Sequence, residues 1–203
     1  MIGVINYGLG NIQAFLNIYD SLGIQASAVS SCSELRSATH LILPGVGSFD
    51  SAMQNLQNSG LYPLLNKQVL NYKIPVLGVC VGMQVMADSS QEGDLPGLSW
   101  IQGQVSHFRN FDSILTNFKY PHMGWNDPVL SDHPLFEGIS HPRFYFLHSY
   151  CFQPTDTSHV LAYADYGNQF TAAVGKDSIF GVQFHPEKSH HWGIRLLSNF
   201  AKI

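Results

Sequence analysis

The chain has 203 residues, 45% of them hydrophobic and only 12% charged, with a net charge of -4. This length suits one domain spanning residues 1–203 with a substantial core, and the sparse charge points to a face covered by a partner. The absence of a basic surplus argues against phosphate-backbone binding, so no nucleic-acid partner is expected.

Residues 2–6 are a short apolar run ending in the turn Tyr7-Gly8-Leu9-Gly10-Asn11, after which Ile12, Phe15, Leu16 and Tyr19 recur at helical spacing. A dinucleotide fingerprint would need glycine where Gln13 stands, so this turn reads as structural. A second burst, residues 41–43, runs into Pro44-Gly45-Val46-Gly47, and a helical stretch follows from Ser48. A further helical stretch at 61–70 precedes an apolar run at 75–79, which reads as a buried strand feeding a helix over 81–87. Strands alternating with helices predict a mostly parallel central sheet with helices on both faces.

The second half changes character. Aromatic and β-branched runs at 100–108, 144–152, 159–164, 170–174 and 179–184 are separated by Gly, Pro and Asp. They predict antiparallel strands appended to the parallel sheet, and the alternating aromatics of 144–150 read as core strand. Residues 194–200 close the chain as a helix. Three widely spaced cysteines, Cys32, Cys80 and Cys151, suggest reduced thiols. With no signal-peptide pattern and no window apolar enough to span a bilayer, a cytoplasmic protein without membrane attachment is expected.

Gly78-Val79-Cys80-Val81-Gly82 lies at a strand-to-helix junction and has the form of a G-x-C-x-G nucleophile elbow. A helix start beside the sulfur favours thiolate and leaves the Val81 N–H free to meet a developing oxyanion. Gly47, in the turn before a helix, is the candidate second donor. A base is offered by Phe184-His185-Pro186-Glu187, just after the last apolar strand. There Glu187 can orient the imidazole of His185 as the third member of a triad. His185, Glu187, His190 and His191 are dense enough to raise a metal site, but their spacing matches no familiar zinc set, and none is assigned. No cofactor is implied.

Taken together, these motifs resemble the class I glutamine amidotransferases, and within them the glutaminase subunits of imidazole glycerol phosphate synthase. The resemblance runs through Asn6–Asn11, Leu43–Gly47, Gly78–Gln84, the run Pro121-His122-Met123-Gly124-Trp125-Asn126, residues 145–150 and residues 181–189. It implies a flavodoxin-like α/β fold. It also implies glutamine hydrolysis through a γ-glutamyl thioester on Cys80, with ammonia passed to a cyclase barrel subunit in a heterodimer. Gln84 and Glu92, with backbone from Ser149 and Tyr150, would hold the substrate glutamine. Asn11 and Lys188 would lie near the barrel partner.

Asn6, Val81 and the run at 97–103 depart from the usual family pattern and resemble a paralogous branch found beside surface-polysaccharide genes. In that branch the ammonia serves a protein that amidates or amidinates a sugar. Two further alternatives are a peptidase or γ-glutamyl hydrolase using the same triad, and a non-catalytic subunit that only completes a synthase complex.

Overall fold

The computed structural model describes residues 1–111 and 119–203. Four apolar segments make the heart of the fold: β1 (Ile2–Ile5), β3 (His40–Gly45), β4 (Val76–Cys80) and β13 (Ile179–Val182). All but His40 are buried, as expected of strands covered on both faces. With β2 (Ala26–Val29) they run parallel in the order β2-β1-β3-β4-β13. The same sheet continues antiparallel through β12 (Gln169–Lys176), β11 (Val160–Asp165) and the two-residue β8 (Val129–Leu130).

With this strand order, the right-handed crossovers expected of parallel strands would put the helices on opposite faces. The β1–β2 connection carries α1 (Ile12–Ser21), which packs against the last helix, α6 (His190–Phe200). The later connections carry α2 (Cys32–Ser37), α3 (Phe49–Asn58) and α4 (Tyr62–Asn66). α4 continues into a widened turn at Lys67–Asn71. Side-chain caps fix the starts: Asn11 Oδ1 accepts from the Ala14 N–H, Ser48 from Ser51, and Ser31 with Glu34 makes a reciprocal capping box. Among the described residues no helix is long and apolar enough to cross a membrane.

Several elements differ from the sequence reading. The helix expected over 81–87 is only α5 (Val81–Gln84). Its continuation is cut off because the carbonyls of Val85, Met86 and Ala87 accept from a returning loop, through the N–H groups of Leu98, Trp100 and Ser99. That loop occupies the first part of the strand expected over 100–108, leaving β6 (Gly103–His107). The run at 144–152 is two strands. β9 (Phe144–His148) pairs with β7 (His122–Asn126), and β10 (Tyr150–Pro154) pairs with β6, which also lies beside β5 (Ser89–Ser90). The chain changes sheets at Ser149, so the break falls at one of the expected site residues. The appended antiparallel part is therefore divided among the edge of the large sheet, a three-stranded sheet and a two-stranded ribbon.

Candidate active site

Strand β4 delivers Cys80 to the end of the sheet, and α5 starts at the next residue. This turn holds Cys80 at φ 57°, ψ -113°, a conformation that a non-glycine residue keeps only when its surroundings impose it. The crowding is visible in the neighbouring backbone. A Cβ on Gly78 would press on the Gly82 carbonyl, and one on Gly82 would run into the carbonyl of Leu43 on β3. Only glycine lets the backbones approach so closely, and the result presents Cys80 to a pocket of about 280 Å³.

β13 lies beside β4, with Val182 in register with Val79, so the residues that follow it arrive next to the elbow. The backbone N–H of His185 donates to the Tyr145 carbonyl at 2.8 Å, and Pro186 opens a short 3-10 turn. That turn brings Glu187 Oε1 to 2.8 Å from His185 Nδ1, with both side chains 4% exposed. The other ring nitrogen is left for Cys80, which lines the same pocket and acts on the imidazole electrostatically; its thiol also lies 3.8 Å from the Leu147 carbonyl. Burial on its own would pull the His185 pKa down. The bonds and charges of Cys80 and Glu187 outweigh it and raise the value to about 10.

The pocket wall gathers most of the remaining expected residues: Gly47, Val81, Gln84, Glu92, Ser149, Tyr150 and Lys188. Gly47 has φ 92°, and Val81 is the first residue of α5, whose N–H groups lack intrahelical acceptors. Glu92 spans the pocket edge and the start of α3, where its Oε2 accepts the Phe49 N–H at 2.8 Å. Burial raises the Glu92 pKa; the Phe49 bond opposes this and nearby Asp50 adds to it. Glu187 lies behind His185 rather than on the wall. Asn11 is also absent from the wall and caps α1. The imidazoles of His190 and His191 are turned to separate partners, His190 stacking on Trp125 and His191 packing at a tilt against Trp192.

Three buried polar residues beside the site fall within the resembling runs but were given no role from the sequence: His122, His148 and Gln183. Gln84 Nε2 donates to the Tyr150 carbonyl and to Gln183 Oε1, both at 3.0 Å, and Gln183 Nε2 reaches Cys80 Sγ at 3.7 Å. The same Tyr150 carbonyl accepts from His148 Nδ1 at 2.8 Å, so both its lone pairs are engaged and it has none left for a ligand. His148 Nε2 is 3.2 Å from His122 Nδ1, and His122 Nε2 is 3.3 Å from Asn126 Nδ2. His122 is sandwiched between Phe146 and Tyr166. Burial lowers the His122 pKa to about 4. Burial, together with the charges of His122 and His185 and against the Tyr150 bond, lowers that of His148 to about 3. Alternation along an extended chain puts 183 and 185 on one side, which is the signal that could have singled out Gln183.

A cysteine on a strand-to-helix elbow, a histidine and carboxylate joined behind it, and a small polar pocket in front suit acyl transfer from a small amide substrate. The family model for class-I glutamine amidotransferases matches residues 4–203, and the chain belongs to that family. Full-length relatives are more specific. The chain is 50% identical to the imidazole glycerol phosphate synthase subunit HisH of Leptospira interrogans and 51% identical to that of Bdellovibrio bacteriovorus, each match covering 100% of both chains. It is 47% identical to HisH 2 of Pseudomonas aeruginosa, again over 100% of both chains. Among solved structures, a glutamine amidotransferase aligns with a TM-score of 0.76 at 20% identity, covering 99% of this chain and 97% of that one. PurLQS from Thermotoga maritima aligns with a TM-score of 0.68 at 15% identity, covering 99% of this chain and 97% of that one. At these identities the structures speak for the fold alone, and they share it with this chain.

Proposed function

We propose that this chain hydrolyses glutamine to glutamate and ammonia through a thioester on Cys80, and delivers the ammonia to a cyclase barrel partner in histidine biosynthesis. The observation that carries the reading is the linked set of Cys80, His185 and Glu187 at the pocket, with the 2.8 Å His185–Glu187 bond buried behind the sulfur. His185 takes the thiol proton, and the thiolate attacks the carboxamide carbon of glutamine. The N–H groups of Val81 and Gly47 stabilise the oxyanion. His185 then protonates the departing nitrogen, ammonia leaves, and water activated by the same imidazole releases glutamate.

Glutamine binding follows from which atoms are free. Both N–H groups of Gln84 are engaged, so it offers its Oε1, an acceptor. Glu92 adds the carboxylate oxygen that does not hold Phe49. Two acceptors on one wall suit the α-ammonium of the substrate. The Ser149–Tyr150 segment contributes shape and N–H groups rather than the Tyr150 carbonyl.

The partner reading is supported by a surface feature. Val46 and Leu147, which line the pocket, are exposed apolar side chains, as are Met123, the register partner of Leu147, and Trp125 two residues further along β7. Such a patch around a site mouth suits burial under another protein chain. Lys188 lies at the same mouth, and the family resemblance assigns Asn11, the cap of α1, to the same interface. The assembly is a cytoplasmic heterodimer on this reading.

The test is glutamate production by the purified chain, alone and with the histidine-pathway cyclase plus its ribonucleotide ligand. A strong rise with that cyclase is expected. A rise only with a cyclase from a polysaccharide cluster would move the acceptor to a sugar, and no glutamate with either would overturn the enzymatic reading.

A further inference from the structure

We infer that Gln183 is a hydrogen-bond donor to the Cys80 sulfur, and that the Gln84–Tyr150 network behind it fixes which end of its amide faces the nucleophile. The inference deepens the proposed reaction and rests on Cys80 being its nucleophile. The Tyr150 carbonyl can only accept, which sets the polarity of everything bonded to it. The end of Gln84 lying 3.0 Å from it is therefore the NH₂ end. That same nitrogen lies 3.0 Å from the Gln183 amide, which must answer with its oxygen. The opposite end of Gln183 is then NH₂, and it is the end that lies 3.7 Å from Cys80 Sγ. The orientation of a side chain touching the sulfur is thus set by a backbone carbonyl further along the network.

His148 secures that starting point. Its Nδ1 faces the Tyr150 carbonyl and so carries the proton, which makes Nε2 an acceptor for His122 Nδ1–H. His122 Nε2 in turn accepts from Asn126 Nδ2–H. Every bond runs in one direction, with both histidines neutral. Gln183 itself is fully buried, so its amide has no water to turn toward. A neutral donor on the sulfur strengthens as charge develops there, since bonds to charged acceptors are the stronger class. Gln183 therefore favours thiolate without competing for the proton that His185 takes.

The test is the pH profile of Cys80 alkylation by iodoacetamide, followed by mass spectrometry of the Cys80 peptide so that the exposed Cys32 does not contribute. Other charged or titratable groups at the sulfur or on the pocket wall are His185 with Glu187 behind it, Tyr7 from the loop after β1, His148 from β9, Tyr150 from β10, and Glu92 and Lys188. All are retained in Gln183→Met, which keeps side-chain volume and removes the amide. The expected result is an upward shift of the alkylation midpoint by about one pH unit. An unchanged midpoint in the folded variant would overturn the inference. Should the variant not fold, the wild type still decides. A glutamine side-chain NH₂ signal in the ¹⁵N–¹H spectrum is expected to titrate with the Cys80 midpoint and to stop doing so in Cys80→Ala, whereas no such signal would overturn it. Failure of Cys80 to form an adduct with a glutamine analogue would instead overturn the nucleophile reading, which the alkylation profile does not require.

Discussion

Removing the buried histidine pair should flatten the acid limb of the stability curve. The double variant His122→Asn, His148→Asn keeps a donor near each Nδ1 position and removes both titrating rings. In the folded protein the two pKa values are lowered to about 4 and about 3, against an ordinary value of 6.5. A group whose folded value is depressed contributes stability that is present above the unfolded pKa and lost as pH falls toward the folded one. Between pH 7 and pH 5 the unfolded chain takes up protons at both rings while the folded chain takes up almost none. Each histidine therefore costs the wild type about 2 kcal/mol over that interval, and the pair about 4 kcal/mol. Carboxylates and the other histidines contribute equally to both proteins and cancel in the comparison. Urea unfolding at pH 7 and pH 5 measures the effect. The variant should start less stable at pH 7, through lost packing between Phe146 and Tyr166, yet lose several kcal/mol less than the wild type on acidification. An equal loss in both proteins would refute the claim that the pair is buried neutral.

Two other substitutions probe the elbow and the triad. Glu187→Gln keeps an oxygen for His185 Nδ1–H but removes the negative charge that supports the imidazolium, so kcat should fall about hundredfold or more with little change in KM; steady-state glutamate release reads it. Gly82→Ala places a methyl against the Leu43 carbonyl and should cost about 2–3 kcal/mol, seen as a thermal midpoint lowered by roughly 5–10 °C.

The parallel half of the fold was legible because its strands are continuous apolar runs followed by turn residues, a pattern set by burial on two faces. β2 was missed because Ala26–Val29 lies at the sheet edge, where only Val29 is fully buried and little apolar sequence is required. The length of α5 was misread because its stop is tertiary: the carbonyls after it are claimed by the returning 97–101 loop, which no local signal announces. The grouping of Cys80, His185 and Glu187 was legible because elbow glycines and an i, i+2 histidine–carboxylate pair are local constraints. His148 and Gln183 were not, since what gives them a role is a shared contact, directly or through Gln84, with the Tyr150 carbonyl, contributed by elements distant in sequence. The run at 144–152 shows both outcomes: its alternating aromatics read correctly as strand, with Phe144 and Phe146 buried, while the sheet change at Ser149 that builds one pocket wall left no trace.

The central claim is that Cys80 carries the acyl group, and the most direct measurement is the mass of the Cys80 peptide in protein mixed with glutamine and the cyclase partner, then quenched in acid. A glutamyl adduct is expected on that peptide, discharged with time as glutamate appears, with neither adduct nor glutamate from Cys80→Ala. Glutamate released at wild-type rate by Cys80→Ala, with the Cys80 peptide of the wild type unmodified throughout, would contradict it.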